Sequence, residues 1–410
     1  MSGGRAGGSA DHAHTSTAIA NLRGLFILIL VSFHACLAYL GSTAAPAATF
    51  EQPPYFWLAF PIVDERRFFG FDLYCAWEDV HVMALMFFLS GLFVSPSLKR
   101  KGAQQFAADR LVRLGLPFLF NVVVLMPAAI YPVYRGFHPE AGIAEYLNAY
   151  RALPFLPNGP TWFLWLLLAF SLLVAPLYAL APKALDALAA LVSGARRRPQ
   201  GFLIGLTVAV TLAYLPLTLA YSPFDWFERG PFSFQISRPL LYGVYYFAGL
   251  AIGAHGLGDG LLAPDGALAE NWRRLAVLSP PVLFVWMGLT GVTLTWPSFA
   301  PPPRRVLSAL AYVAASVVGV MLLMAIAIRF CARPIPWLEP LSQHSLGIFV
   351  VHYAPIVWMQ YALSGLALPA VLKAAIVFGA VLPLSLVVAI VLKRNVFAAR
   401  LIGEAGARMV

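Results

Sequence analysis

Charged residues are scarce in this chain: Asp, Glu, Lys and Arg make up 11% of its 410 residues, whereas hydrophobic residues make up 60%. The mean hydropathy is +0.77. A soluble domain of this size needs a much larger charged surface, so the composition excludes a soluble globular protein and indicates a polytopic membrane protein. The net charge of +10 is also typical of nucleic-acid-binding proteins. Few basic residues lie in a soluble segment large enough to bind nucleic acid, however, so we expect membrane lipids and no nucleic acid as partners.

Cysteine is also rare. The sequence contains Cys36, Cys75 and Cys331 and no other cysteine, and their spacing matches no metal-binding or redox motif. We therefore predict no metal site. Cys36 and Cys75 leave room for one disulfide bond outside the membrane, which we do not expect to form.

Long apolar stretches dominate the sequence. Ten of them are long enough, or nearly so, to cross a hydrocarbon core of about 30 Å: 20–40, 78–97, 115–134, 160–181, 201–221, 236–256, 275–295, 305–328, 344–364 and 369–392. We predict an all-α polytopic membrane protein with about ten transmembrane helices. In that arrangement 19 of the 28 Lys and Arg residues lie on the side of the two termini. The positive-inside rule then places both termini in the cytoplasm.

The termini differ from the apolar middle of the chain. Residues 1–18 are rich in Gly, Ser and Ala and are predicted to be a disordered leader. Residues 19–395 form one predicted membrane domain, and residues 396–410 a short cytoplasmic tail. The first apolar stretch is followed by small residues, as in a signal peptide, but it is long for one and its leader carries little positive charge. We therefore interpret it as a retained transmembrane helix.

The first apolar stretch carries two ionisable residues, Arg23 and, eleven residues later, His34. At about 100° per residue their side chains share one helical face, and at about 1.5 Å per residue they lie about 16 Å apart. If Arg23 is at the membrane surface, His34 lies near the middle of the bilayer, where an ionisable side chain indicates a functional site. The alternative is a histidine satisfied by hydrogen bonds to a neighbouring helix.

A second histidine, His81, follows Glu78 by three residues in the second apolar stretch. Residues three apart are neighbours on a helix surface. Glu78 is therefore predicted to orient His81, either as a second catalytic group or beside a bound substrate.

The segment 41–77 is unusually aromatic for a loop and also contains carboxylates such as Asp72. Loops of this length are usually functional or disordered, and this composition argues against disorder. One interpretation is an aromatic belt at the membrane interface. The other is an acceptor site, where Trp57 and Trp77 stack on sugar rings and Asp72 binds hydroxyl groups.

The segment 99–117 is basic and is predicted to be cytoplasmic. Arg110 and Arg113 are three residues apart and would share a helical face. Two neighbouring guanidinium groups suit a phosphate or pyrophosphate. The alternative is a basic loop that only fixes the membrane topology.

These motifs together resemble the acyltransferase 3 family of integral membrane acyltransferases. The resemblance extends from Arg23 to about residue 392. It rests on Arg23-x10-His34, on Phe87-Phe88-Leu89-Ser90-Gly91, on Arg110-x-x-Arg113, on Trp162-Phe163-Leu164 and on His344-Ser345-Leu346-Gly347-Ile348-Phe349-Val350-Val351-His352. The chain departs from the family pattern at Ala20, where members often carry Asp, and at Leu346 and Phe349, where they often carry Tyr. The segment around His81 is similar to that of the glucan-modifying members.

The resemblance implies transfer of an acyl group from cytoplasmic acyl-CoA (acetyl-CoA or succinyl-CoA) to a hydroxyl of a glycan or other acceptor. It also implies a multi-pass protein of the bacterial inner membrane. We expect His34 to be the general base, because neutral imidazole is the base best suited to neutral pH. The remaining candidate residues are, for catalysis, Arg23, His81 and Glu78; for acyl-CoA binding, Arg110, Arg113, Arg23 and Ser90; and for substrate binding, Trp57, Trp77, Asp72, Trp162 and His352.

Several alternatives stay open at this point. Ser90 and Gly91 fit close helix packing better than chemistry. An acyl-histidine intermediate would use the same residues as general-base transfer. A glycan or lipid transporter or flippase would also place ionisable residues in the membrane, although the internal repeats typical of transporters are missing from this sequence. A membrane-bound O-acyltransferase of another type would use His344 or His352 instead of His34.

Overall fold

The computed structural model describes residues 3–42, 49–53, 55–222, 225–294 and 300–404. Its helices are α1 (Gly3–Cys36), α2 (Phe69–Leu92), α3 (Val94–Arg110), α4 (Leu116–Phe120), α5 (Met126–Phe137), α6 (Ile143–Ala152), α7 (Trp162–Leu180), α8 (Ala184–Leu191), α9 (Pro199–Ala220), α10 (Pro239–His255), α11 (Ala267–Glu270), α12 (Trp272–Leu294), α13 (Pro302–Phe330), α14 (Glu339–Gln343), α15 (Ser345–Val351), α16 (Tyr353–Leu363), α17 (Ala370–Lys393) and α18 (Val396–Leu401). Strands β1 (Trp226–Arg229) and β2 (Phe232–Gln235) form an antiparallel hairpin.

The prediction of an all-α polytopic membrane protein is confirmed. Eight helices of the described ranges are long and apolar enough to cross a membrane, and α15 and α16 make a ninth if this bent pair is counted as one span. The predicted stretch 236–256 corresponds to α10, which has 17 residues. The stretch 115–134 lies within a longer helical run, Val94–Phe137.

The N-terminal segment differs from the predicted disordered leader. Helix α1 begins at Gly3 and continues without interruption into the first transmembrane stretch. Thr15 is fully buried, and its hydroxyl donates a hydrogen bond to the backbone oxygen of Leu262 at 3.0 Å. A polar composition suggested disorder, but a buried, hydrogen-bonded threonine fixes this part of the helix on a distant loop.

Two contacts define the two ends of the helical bundle. Arg23 in α1 lies over the ring of Phe93, just beyond the last residue of α2, with its guanidinium carbon 5.7 Å from the ring centroid. Just beyond Cys36, the last residue of α1, the backbone oxygen of Ala38 accepts a hydrogen bond from the amide of Asp64 at 2.9 Å. We call the first the arginine end and the second, where segment 49–68 lies, the loop end.

Glycines allow α2 and α10 to pack in backbone contact. A Cβ atom on Gly249 would lie 2.0 Å from the carbonyl oxygen of Phe88, and one on Gly253 would lie 2.0 Å from that of Leu92. Gly91 of α2 approaches the carbonyl oxygen of Tyr246 in the same way. Small residues four apart are the usual means by which membrane helices approach closely. The interpretation of Gly91 as a packing residue is thus supported.

The Gly249→Ala variant is expected to lose about 1–3 kcal/mol of stability, because the added methyl group must push two helix backbones apart. Gly288→Ala in α12 is the matched control, since no atom of the described residues lies within 4 Å of its Cβ position. That control should be neutral or slightly stabilising, as Ala is the better helix former. Thermal unfolding of both purified variants measures the difference, and equal midpoints would contradict the close contact.

A buried ion pair joins the long loop to the last long helix. Lys373 of α17 donates to Oδ2 of Asp64 at 2.6 Å, and both side chains are fully inaccessible to solvent. The other carboxylate oxygen, Oδ1, accepts from the amide of Arg66 at 2.7 Å. Nothing in the sequence singled out this pair, because its members lie 309 residues apart.

Breaking this pair is expected to destabilise the protein strongly. Asp64→Asn leaves the Lys373 ammonium buried without its counter-charge, which typically costs about 3–5 kcal/mol. Lys373→Met in the same chain should restore much of that loss, because the isolated charge is removed. The control is Asp186→Asn, whose partner Lys99 is 3.6 Å away at the surface and which should cost under about 1 kcal/mol. Unfolding in denaturant tests both, and similar losses for the two single variants would contradict this account.

Candidate functional site

Two histidines from distant parts of the chain meet in the bundle. Nδ1 of His34 lies 3.3 Å from Nε2 of His352 and 2.9 Å from the backbone oxygen of Leu30. The ring centroids of the two histidines are 5.0 Å apart. His352 is fully buried, whereas 9% of His34 remains exposed. His34 is therefore the less completely buried member of the pair.

The hydrogen bonds assign the protons of both rings. Nδ1 of His352 lies 2.8 Å from the backbone oxygen of Phe349, and a carbonyl oxygen can only accept. Nδ1 of His352 therefore carries the proton and its Nε2 is an acceptor. By the same reasoning Nδ1 of His34 carries a proton, because its neighbours are the oxygen of Leu30 and the acceptor nitrogen of His352. Neutral His34 consequently has an unprotonated Nε2, which has no hydrogen-bond partner in the described part of the chain.

A break between α15 and α16 brings His352 to this position. The two helices meet at His352 with a bend of 44°. Pro355 follows three residues later and has no N–H to donate to the carbonyl of Val351, which explains why the helix bends here. Interrupted helices at membrane depth are tolerated where the freed backbone groups are buried in protein. The bend thus directs an imidazole at α1.

Two further residues of α16 surround His34. The amide of Gln360, which is buried, donates to the backbone oxygen of His34 at 2.8 Å. The ring of Tyr353 lies edge-on to His34, with centroids 5.5 Å apart. Neither residue was predicted from the sequence. Gln360 carried a usable signal, because it is a lone amide within the apolar stretch 344–364.

His344 belongs to a different environment from His352. Its Nδ1 lies 3.5 Å from Oε2 of Glu404, and Nζ of Lys393 lies 3.4 Å from the same oxygen. The other oxygen of Glu404 accepts from the amide of Gly347 at 3.1 Å. His344 thus takes part in packing the last helices against α15, away from His34.

The three candidate arginines gather at the arginine end. Arg113 lies within electrostatic range of both Arg23 and Arg110. The guanidinium of Arg110 lies over the ring of Phe106, with its carbon 4.9 Å from the centroid. Across the described ranges, no carboxylate lies within ion-pair distance of any of the three. Such a cluster of cations without bound counter-charges favours a phosphate group as its partner.

The backbone around this cluster is not the regular helix that the spacing predicted. Arg110 ends α3, and Arg113 lies in a π-helical segment, Leu111–Gly115. Short π-helical segments are frequent at functional sites. Asp109, the nearest acid in sequence, forms an ion pair with Lys101.

The predicted contact between Glu78 and His81 is not found in the described structure. Nδ1 of His81 bonds the backbone oxygen of Trp77 at 2.6 Å, and its ring packs on Gly319 of α13. Glu78 is buried, and it interacts electrostatically with Asp79 and Arg238. The i, i+3 spacing was compatible with a contact, but packing against α13 turns the imidazole away.

Two of the predicted acceptor residues have structural contacts instead. Trp57 is 3% exposed and stacks on Phe50, with centroids 4.7 Å apart and planes inclined by 10°. Asp72 accepts from the amides of Gly41 and Ser42 at 2.7 and 2.9 Å, which fixes the start of the loop. Trp57 is thus enclosed by its neighbours, whereas Asp72 keeps acceptor capacity beside its bonds to the loop, and a role of either residue in acceptor binding stays a prediction.

Trp77 lies closer to the histidine pair. It is half-buried and stacks on Tyr74, with centroids 6.3 Å apart and planes inclined by 17°. The hydroxyl of Tyr74 is 2.5 Å from that of Ser32, two residues before His34. Of the three loop-end candidates, Trp77 is thus the one beside the helix segment that carries His34.

Ser90 and Trp162 complete the set of candidates. Ser90 is half-buried and forms no side-chain hydrogen bond within the described residues. Trp162 is half-buried, and its ring lies 5.6 Å from that of Tyr242 at an angle of 29°. Neither contacts His34 directly.

A family model described as an acyltransferase domain matches residues 17–394, nearly the whole chain. The searches of curated proteins and of solved structures found no match. The matched range includes the histidine pair, the three arginines and the helices from α2 to α17. The chain therefore belongs to the acyltransferase 3 family and is a multi-pass membrane acyltransferase.

Proposed function

We propose that this acyltransferase moves an acetyl or succinyl group from cytoplasmic acyl-CoA to a hydroxyl of an extracytoplasmic glycan. His34 is the general base of this reaction. The observation that carries the proposal is the unpartnered Nε2 of His34, whose Nδ1 proton is held by the oxygen of Leu30 and by His352.

In this mechanism Nε2 of His34 takes the proton of the acceptor hydroxyl as its oxygen attacks the thioester carbonyl. The new C–O bond forms, the C–S bond breaks, and the imidazolium returns the proton to the sulfur of CoA. Nε2 of His352 accepts from Nδ1–H of His34 throughout, so it stabilises the imidazolium and fixes its orientation. A positioned base of this kind contributes about 10²–10⁴ to the rate.

The arginine cluster is the proposed site for the phosphates of CoA. Guanidinium groups bind phosphates in a bidentate manner, and the cluster of Arg23, Arg110 and Arg113 has no protein anion to displace in the described structure. Arg23 lies about 16 Å along α1 from His34. The thin pantetheine arm of CoA suits that distance, so the thioester reaches the histidine while the nucleotide stays at the arginine end.

The acceptor enters from the loop end in this proposal. The distribution of Lys and Arg supports an arginine end in the cytoplasm and a loop end outside. In a bacterial inner membrane the loop end then faces the compartment that contains envelope glycans. Trp77 is the proposed contact for the acceptor, in place of Trp57 and Asp72.

The test is acyl transfer by the purified protein in lipid nanodiscs, supplied with radiolabelled acetyl-CoA or succinyl-CoA and a glycan extract. Label in the glycan supports the proposal, whereas a transporter would leave the glycan unlabelled. Mass spectrometry of envelope glycans from cells with and without the gene then identifies the acceptor. An unchanged set of acyl groups would contradict a glycan acceptor.

A further inference from the structure

Tyr353 is a buried residue at the histidine pair whose hydroxyl has no part in the mechanism so far. Its side chain is 6% exposed, and its ring lies edge-on to that of His34 with centroids 5.5 Å apart. The ring of His352 lies at 6.4 Å. The hydroxyl of Tyr353 forms no hydrogen bond with any described residue. Buried hydroxyl groups without a partner are rare and costly in folded proteins, so a bound substrate is the partner to consider.

The other side chains around His34 have no donor left for a substrate. The side-chain nitrogen of Gln360 donates to two backbone oxygens of α1, at 2.8 and 3.3 Å. Both ring nitrogens of His352 are engaged. The ring of Phe33, 5.0 Å from that of His34, carries no polar atom. Among the described side chains that contact His34, Tyr353 is therefore the one with a hydrogen-bond donor to spare.

Gly159 packs against the hydroxyl end of the Tyr353 ring. A Cβ atom on Gly159 would lie 3.3 Å from Cε1 of Tyr353, the ring carbon next to the one that carries the hydroxyl. Gly159 has a φ of +50°, in the left-handed region that favours glycine. Asn121 holds the flanking residues, since its amide donates to the backbone oxygen of Asn158 at 3.0 Å and to the hydroxyl of Thr161 at 2.8 Å. A donor that is fixed in this way needs little reorganisation when charge develops beside it.

The proposed reaction has a step that needs such a donor. When the acceptor oxygen adds to the thioester carbonyl, the carbonyl oxygen becomes an oxyanion, which a hydrogen-bond donor stabilises. The base lies about 2.6–3.2 Å from the attacking oxygen and the donor about 2.7–3.1 Å from the oxyanion. Both oxygens are bonded to the same carbon. The base and the donor therefore belong to neighbouring side chains, as those of His34 and Tyr353 are.

We propose that the hydroxyl of Tyr353 donates a hydrogen bond to this oxyanion. The acceptor oxygen forms its bond to the carbonyl carbon, the π electrons move to the carbonyl oxygen, and Tyr353 keeps its proton throughout. The C=O bond re-forms as the C–S bond breaks, and the proton taken by His34 passes to the sulfur. The inference rests on the proposed acyl transfer from CoA, but it does not depend on the identity of the acceptor.

The test is Tyr353→Phe in the full chain in nanodiscs, because this change removes the hydroxyl and keeps the ring. Its kcat should fall about 10²–10³-fold, the usual effect of losing one oxyanion donor. KM for acyl-CoA and for the acceptor should stay near the wild-type values, since the hydrogen bond strengthens only in the transition state. The thermal midpoint should equal or exceed that of the wild type, because an unpartnered hydroxyl is removed from the interior.

Tyr150→Phe is the matched control. Tyr150 is 5% exposed, its hydroxyl is also buried without a partner in the described structure, and its ring packs on Tyr146. This variant should show the same thermal effect and keep the wild-type kcat. A second variant carries 3-fluorotyrosine in place of Tyr353. Fluorine makes the phenol a stronger donor, so its kcat should equal or exceed that of the wild type.

Hydrolysis of acyl-CoA without acceptor is measured in the same proteins, because water then forms the same kind of oxyanion. Wild-type kcat in Tyr353→Phe, an equal loss in Tyr150→Phe, or a lower kcat with 3-fluorotyrosine would overturn the inference. A fall in kcat that is matched by a fall in the thermal midpoint would also overturn it, since the hydroxyl would then be structural. Glycan transfer that Tyr353→Phe retains refutes this inference alone. Hydrolysis that depends on Tyr353, without any labelled glycan, refutes the proposed acceptor alone.

Discussion

Replacing His34 by alanine is expected to lower acyl transfer by about 10²–10⁴-fold, the usual contribution of a general base. Among the described residues, Nε2 of His34 is the unpartnered Nε2 of the histidine pair, because Nε2 of His352 already lies 3.3 Å from Nδ1 of His34. His352→Ala should also lower the rate, but less, because it removes the acceptor that stabilises the His34 imidazolium and leaves the base. The measurement is kcat with labelled acyl-CoA and saturating acceptor, in protein whose thermal midpoint matches the wild type.

His138→Ala is the control for this variant. His138 is an exposed histidine paired with Glu51 at 2.9 Å, and its loss should leave kcat unchanged. His344→Ala separates the proposed mechanism from that of the other type of membrane O-acyltransferase. In that other type a histidine of the later helices would be essential. Wild-type turnover in a well-folded His34→Ala protein would refute the mechanism, and loss of activity in His344→Ala alone would favour that other enzyme type.

Replacing Arg110 or Arg113 by alanine is expected to weaken acyl-CoA binding by about 10–150-fold. Each change removes a charge-assisted contact to phosphate worth about 1.5–3 kcal/mol. Lysine at either position should restore only part of the affinity, because a point charge does not reproduce a planar fork. Isothermal calorimetry with CoA measures the loss. Calorimetry with dephospho-CoA then shows whether the 3′-phosphate or the pyrophosphate is the group held.

Arg329→Ala serves as the control for net charge, since Arg329 is exposed in the last turn of α13 and lies outside the cluster. Its affinity for CoA should match the wild type. Unchanged affinity in both Arg110→Ala and Arg113→Ala would mean that segment 99–117 only fixes the topology. An equal loss in Arg329→Ala would mean that CoA responds to the total charge and not to a built site.

The sequence was sufficient to predict the helical membrane fold, whereas the functional importance of His34 stays a prediction. The length of an apolar stretch and the positions of Lys and Arg are properties of a local segment, so they can be recognised from the sequence alone. The convergence of Arg110 and Arg113 was also predictable from their spacing, although the π-helical segment that contains Arg113 was not. The role of Gly91 in close packing followed from its small size.

The pairing of His34 with His352 was not predictable, because it depends on a bend that orients α16 against α1 over a separation of 318 residues. The same limit applies to Asp64, whose partner Lys373 is equally distant in sequence. Trp57 shows how packing limits an inference from residue type, and its role in acceptor binding stays a prediction. Its residue type suits sugar binding, but its neighbours Phe50 and Phe155 enclose it. Residue type indicates what a side chain can do, and packing decides whether it is accessible.

Acyl transfer across a sealed membrane is the most direct test of the whole account. Proteoliposomes of known orientation receive labelled acyl-CoA on the side of the arginine end and acceptor glycan on the side of the loop end. The account predicts labelled glycan in this arrangement, and none in the His34→Ala protein, because the donor and acceptor meet at His34 from opposite ends of the bundle. Product that forms only when both substrates are supplied on the same side would contradict it.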